Sequence, residues 1–65
     1  MKIQVNGKIV EFDKSKISEL LEEYNLDKML TVVEKNGEII KSDIYEEEEL
    51  KEGDVIEIVQ LVGGG

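Results

Sequence analysis

The 65 residues form one small domain, 1–65, whose 40% hydrophobic content suits a globular fold rather than disorder. Cysteine and histidine are both absent, which excludes disulfides, zinc sites of the usual ligand types, a thiolate nucleophile and a proton shuttle near neutral pH. The 16 acidic and 8 basic residues leave a formal net charge of -8, which repels phosphate, argues against nucleic-acid binding and steers the chain toward partners with basic surfaces.

A chain of this size buries only roughly 60% of the surface its unfolded form exposes, so its core has to be efficient. Ser15, Ser18 and Ser42 have no histidine to activate them, and a body this small leaves little room for a cleft that tunes paired carboxylates. We therefore expect no catalytic residues, no metal site and no independent enzyme. The longest apolar run is too short to span a bilayer, and no charged-then-apolar leader opens the chain. The expected setting is soluble and cytoplasmic, with no membrane partner. What remains reactive is the terminal carboxyl group.

Met1-Lys2-Ile3-Gln4-Val5 alternates apolar and polar residues, as does Lys8 to Phe12 apart from Ile9. Asn6-Gly7 between them predicts a type I′ hairpin, because that turn needs positive φ at both central positions. A two-residue loop pairs Val5 with Lys8, Ile3 with Val10 and Met1 with Phe12, placing these apolar residues on one face and Ile9 on the other beside Gln4. After Asp13-Lys14-Ser15 the period changes. Ile17, Leu20, Leu21 and Tyr24 recur at helical spacing opposite Glu19, Glu22 and Glu23, predicting a helix from about Lys16 to Tyr24 that packs across the sheet. Asn25 is its expected left-handed terminator, with Leu26 closing the end by an apolar contact.

Met29 to Lys35 reads as a third strand, and Asn36-Gly37 turns it into Glu38-Ile39-Ile40-Lys41 with the same turn chemistry. Ser42 to Glu49 has no clear period, and its Glu46-Glu47-Glu48-Glu49 run reads as solvated loop, or else as a docking patch for a basic partner. Leu50 is expected to plug the core, and Lys51-Glu52-Gly53-Asp54 to turn the chain. Val55 to Leu61 is the most continuously apolar stretch, which predicts a central strand covered on both faces. Val62-Gly63-Gly64-Gly65 follows. A triple glycine gives up the most backbone entropy on ordering and has nothing to pack, so 61–65 is expected to be a flexible tail leaving a rigid base. Such a tail suits insertion into a partner's narrow site, though terminal glycines also occur as frayed ends or expression scars.

This order of strand, hairpin, helix, hairpin, irregular segment, apolar strand and glycine tail resembles the β-grasp fold of ubiquitin-like proteins. The fold class it implies is α+β: a mixed sheet of four to five strands, the first and last parallel at its middle, with one main helix across one face. More specifically, the chain resembles the bacterial sulfur carriers of thiamine biosynthesis. That likeness rests on Val5-Asn6-Gly7, on Ile17 through Leu21, on Val33 through Ile40, and on Leu50-Lys51-Glu52-Gly53-Asp54-Val55 running through Gln60 into Val62-Gly63-Gly64-Gly65. No single piece is specific, but the Leu-x-x-Gly-Asp turn, the apolar strand and the glycine terminus together outweigh the scar reading.

The resemblance implies a carrier cycle. A ubiquitin-activating-type adenylyltransferase would use ATP to adenylate the carboxylate of Gly65. Sulfur from a cysteine-derived donor, by way of a desulfurase, would make it a thiocarboxylate, and thiazole synthase would take that sulfur. Gly63 and Gly64 would be the slender stem entering partner sites, and Gly65 the modified residue; no cofactor would be bound by the chain itself. Members commonly end in two glycines after a variable residue, and Gly63 here occupies that variable place. The sheet face bearing Ile9, with Val59 and Leu61, is the expected docking face. The rival readings are the small subunit of molybdopterin synthase, which uses the same terminal chemistry, a protein modifier that forms an isopeptide bond, and a plain interaction domain.

Overall fold

The computed structural model describes residues 1–61. Six regular elements organise them: β1 (Lys2–Val5), β2 (Lys8–Glu11), α1 (Ile17–Glu23), β3 (Thr31–Lys35), β4 (Glu38–Ile40) and β5 (Val55–Gln60). They build one mixed sheet of five strands in the order β2-β1-β5-β3-β4. β5 runs parallel to β1, with Val5 level with Ile56, and antiparallel to β3, with Val33 level with Ile58. The last strand is therefore the central one, as its apolar run predicts.

The turn residues set the registers. Asn6 and Gly7 have φ of 49° and 86°, and Asn36 and Gly37 have 53° and 87°, so both Asn-Gly pairs take the left-handed conformations a two-residue hairpin requires. The first hairpin pairs Val5 with Lys8 and Ile3 with Val10, the register read from the sequence. Phe12 N–H donates to the Met1 carbonyl and the terminal amine donates to the Phe12 carbonyl, both at 2.8 Å, extending that pairing to the chain's start.

Helix α1 buries Ile17, Leu20 and Leu21 against the sheet. Its C-terminus is closed by Asn25 at φ 58°, where Asn25 N–H donates to Glu22 O at 3.0 Å and Leu26 N–H to Leu21 O at 2.8 Å. This double bond pattern satisfies the last carbonyls, and Leu26 packs half-buried beside the core. Tyr24, placed by its spacing on the apolar stripe, is 41% exposed: it caps α1 one residue past Glu23, and Leu26 packs against the core instead. At the other end Glu19 Oε1 accepts from Ser15 N at 3.1 Å and Lys16 N at 2.9 Å. Those two bonds hold the Glu19 carboxyl below its ordinary range.

The sequence expectation differs from the structure in three further places. The third strand begins at Thr31 rather than Met29, because Asp27 accepts from Met29 N at 2.9 Å and winds Lys28–Leu30 into a 3₁₀ turn. The segment after β4 is not merely solvated. It forms a 3₁₀ turn at Ser42–Ile44 and buries Tyr45 completely, and its carbonyls receive the helix's first amides, Ile17 N to Glu48 O and Ser18 N to Tyr45 O. The third difference concerns β5. Its burial alternates, with Ile56 and Ile58 inside and Val55, Glu57 and Val59 outside, so the strand is central yet covered on one face only. Leu50 does plug the core, alongside Phe12, Val33 and Ile3.

Candidate functional site

The candidate site is the end of β5 and the sheet face around it. Two asparagine side chains, already fixed by their turns, reach across to hold this strand. Asn6 Oδ1 accepts from Ile58 N at 2.7 Å while Asn6 Nδ2 donates to Ile58 O at 3.2 Å, continuing the β1 pairing one step after β1 itself has turned away. On the other side Asn36 Oδ1 accepts from Val55 N at 2.9 Å and Asn36 N–H donates to Val55 O at 2.8 Å. Among the described residues only the β3 side continues beyond Ile58, through Val32 with Val59, Thr31 with Gln60, and Leu61 N–H donating to Leu30 O at 2.7 Å. The strand is thus held on two edges to Ile58 and on one edge to Leu61.

Side-chain alternation sorts the open face into rows. Nearest the end of β5 lie Leu30 and Leu61, then Val32 and Val59, then Glu34 and Glu57 with Ile39 on the outer strand. Farther from the end, Val55 is level with Gln4, and Gln4 with Ile9. Ile9 is 72% exposed, Val59 56%, Leu61 51% and Leu30 50%, and no helix covers any of them. Ile9 and Val59 share the face but do not touch. They stand two strands and four residues apart, on the order of 16 Å by ordinary strand spacings. The structure instead joins Val59 and Leu61 to Val32 and Leu30. Leu30 escaped the sequence reading because it lies in the 3₁₀ turn, and Val32 because its apolar neighbour Val33 left the inward residue undecided.

The carboxylates divide between the two sides. On the covered side Lys35 pairs with Glu48, Lys16 with Glu49 at 3.3 Å and Lys28 with Glu46 at 3.8 Å, so three of the four carboxylates of the acidic run are matched by lysines of the fold itself. Gly63, Gly64 and Gly65, the expected stem and modified residue, lie outside the described residues.

The sequence profile of the ThiS family matches residues 2–65. The chain belongs to the ThiS family. It is 48% identical to the sulfur carrier protein ThiS of Bacillus subtilis (strain 168) over 65 residues, covering 97% of this chain and 98% of that protein. A thiazole synthase of Paramagnetospirillum magneticum contains a similar stretch, 38% identical over 66 residues, covering all of this chain but 20% of that protein. Among solved structures, the crystal structure of the thiamine biosynthesis protein ThiS from Geobacter metallireducens superposes with a TM-score of 0.82 at 32% identity, over the full length of both chains. The solution structure of a thiamine biosynthesis protein from the same organism gives 0.78 at 33% identity, covering 100% of this chain and 88% of that one. Membership of this family makes the chain a sulfur carrier of thiamine biosynthesis, and the β-grasp class read from its sequence is the fold it has. Among the described residues no helix is long and apolar enough to cross a membrane.

Proposed function

We propose that the chain carries sulfur on the carboxylate of Gly65, with Gly63 and Gly64 as the stem that enters partner sites, and that it is a cosubstrate rather than an enzyme. The observation that supports this most is the anchoring of β5: Asn36 holds its start at Val55, Asn6 extends the hold on both edges to Ile58, and pairing with β3 carries the strand on to Leu61, the root from which the tail would leave. The absence of cysteine leaves no thiol to hold sulfur, which directs the chemistry to the backbone's own end. A carboxylate does not exchange oxygen for sulfur unaided, because oxide is a very poor leaving group. An adenylyltransferase of the ubiquitin-activating type would use ATP to form the acyl adenylate and release pyrophosphate. The terminal sulfur of a persulfide that a desulfurase makes from cysteine would then displace AMP to give an acyl disulfide. A second thiol would cleave that S–S bond, ending as a disulfide with the donor's sulfur and releasing the thiocarboxylate. The thiocarboxylate so formed would donate its sulfur to thiazole synthase, a partnership supported by the carrier-like stretch inside the Paramagnetospirillum protein.

The chain itself would bind no cofactor; ATP would be consumed by the partner, and the cytoplasm is the proposed compartment because that partner draws on ATP. Docking would use the open sheet face, with Val59 and Leu61 next to the root and Ile9 at its far side. The test is to incubate the chain with ATP, its activating enzyme and a sulfur source and weigh it intact. A mass gain equal to exchanging oxygen for sulfur is expected. Attachment to larger proteins, or no change, would overturn the reading.

A further inference from the structure

The open face carries a feature that transport of sulfur does not require. Glu34 and Glu57 stand directly opposite each other on β3 and β5. Side chains so placed have Cβ atoms roughly 5 Å apart, and like charges there destabilise a sheet. Neither carboxylate takes part in an ion pair among the described residues, where the paired glutamates are Glu11, Glu46, Glu48 and Glu49. Their neighbours on the face are Ile39 beside Glu34, Val59 and Val32 one step toward the root, and Val55 one step away. The free domain gains nothing from two unmatched carboxylates set among apolar side chains.

We propose that the β3–β5 half of this face docks a protein surface that places an arginine between Glu34 and Glu57 while an apolar ridge covers Leu30, Val32, Val59 and Leu61. This rests on the carrier reading, and it names the chemistry of the activating enzyme's docking surface. Charge complementarity selects the occupant. A second copy of the chain would bring its own Glu34 and Glu57 against this pair, and a hydrated cation would leave the adjoining apolar ladder uncovered. A guanidinium offers five donors in a planar fork, enough to bridge two carboxylates at once, where a lysine's compact ammonium gives a point charge. The formal net charge of -8 draws such a surface in from a distance, and the apolar ladder holds it once docked. The arrangement also separates right from wrong partners, since a neutral surface would bury two uncompensated charges.

The test uses Glu57→Gln and Glu34→Gln in the full chain, with Glu23→Gln on the exposed side of the helix as a control for net charge. Three readouts are taken: melting temperature of the free chain, KM for the chain in adenylation at low and high salt, and titration against the activating enzyme without ATP. The two face variants should melt higher than the parent yet dock worse, with KM and the dissociation constant rising roughly threefold to tenfold and the loss shrinking at high salt. The control should change neither by as much as twofold. A higher melting temperature with unchanged KM and unchanged affinity would overturn the proposal, leaving the pair as simple repulsion. If the parent chain never gains sulfur, the carrier reading fails on its own, and the titration without ATP still decides whether this face docks the enzyme.

Discussion

The two faces of the sheet obey opposite rules. On the covered face the packed positions are apolar except Thr31, whose hydroxyl donates to the Asp27 and Lys28 carbonyls; Ile3, Val5, Val33, Ile56 and Ile58 meet Leu20 and Leu21 of the helix, and glutamates around them find lysines. On the open face apolar residues stay in solvent and two carboxylates oppose each other. One side is finished by the chain itself; the other is the side we propose for a partner. Stability and recognition should therefore separate cleanly by face, and substitutions can break or sharpen that division.

The largest effect is expected inside. Leu20→Ala removes a side chain that is 1% exposed and should destabilise the fold by about 2–5 kcal/mol, read by denaturant unfolding. A cost below about 1 kcal/mol would mean the helix is not seated on the sheet as described. Next comes the other face. Val59→Glu adds a carboxylate beside Glu34 and Glu57 and should cost the fold no more than about 1 kcal/mol, while lowering affinity for the activating enzyme by roughly tenfold or more. Ile9→Glu tests the far side of the same face and should have the weaker docking effect of the two, because it lies outside the ladder that borders the root. Equal effects at both positions would place the docking centre nearer the sheet's middle than proposed here.

Asn6 tests the join between the two rules. Asn6→Gly keeps the positive φ the turn needs but removes both bonds to Ile58, so the expected loss is about 1–2 kcal/mol, with faster amide exchange at Ile58. Exchange unchanged at Ile58 would show that the strand's root does not depend on this clamp. The smallest effect is at Glu19. Its carboxyl is held below 4.5 by the backbone amides of Ser15 and Lys16, so the stability it contributes is complete above that value and is lost as pH falls through the depressed pKa. Unfolding curves of the parent and Glu19→Gln should differ at neutral pH and converge in acid; a constant gap would contradict this.

Much of the covered side was legible from residue order, because period and turn chemistry are local. Asn6-Gly7 and Asn36-Gly37 set their hairpins whatever surrounds them, and Asn25 with Leu26 announces the helix end. Tyr45 was not legible: it stands alone in an aperiodic segment and is buried in the core cluster that holds Val33, Leu20 and Leu21, which no local pattern records. Nor was the one-sided cover of β5. An unbroken apolar run is what a strand buried on both faces shows, and equally what a strand with one face reserved for a partner shows. The opposed pair of Glu34 and Glu57 needs the register of two strands 23 positions apart in the chain, which pairing alone reveals.

The central claim is that the folded body serves as a rigid handle for a reactive backbone end. It is tested most directly by treating the full chain and a chain shortened to Gly63 with ATP, the activating enzyme and a sulfur source, then locating the added sulfur by fragmentation mass spectrometry. One oxygen-to-sulfur exchange is expected on Gly65 of the full chain and none on the shortened one, with both folded. Sulfur on any other residue, or an equal gain by the shortened chain, would contradict it.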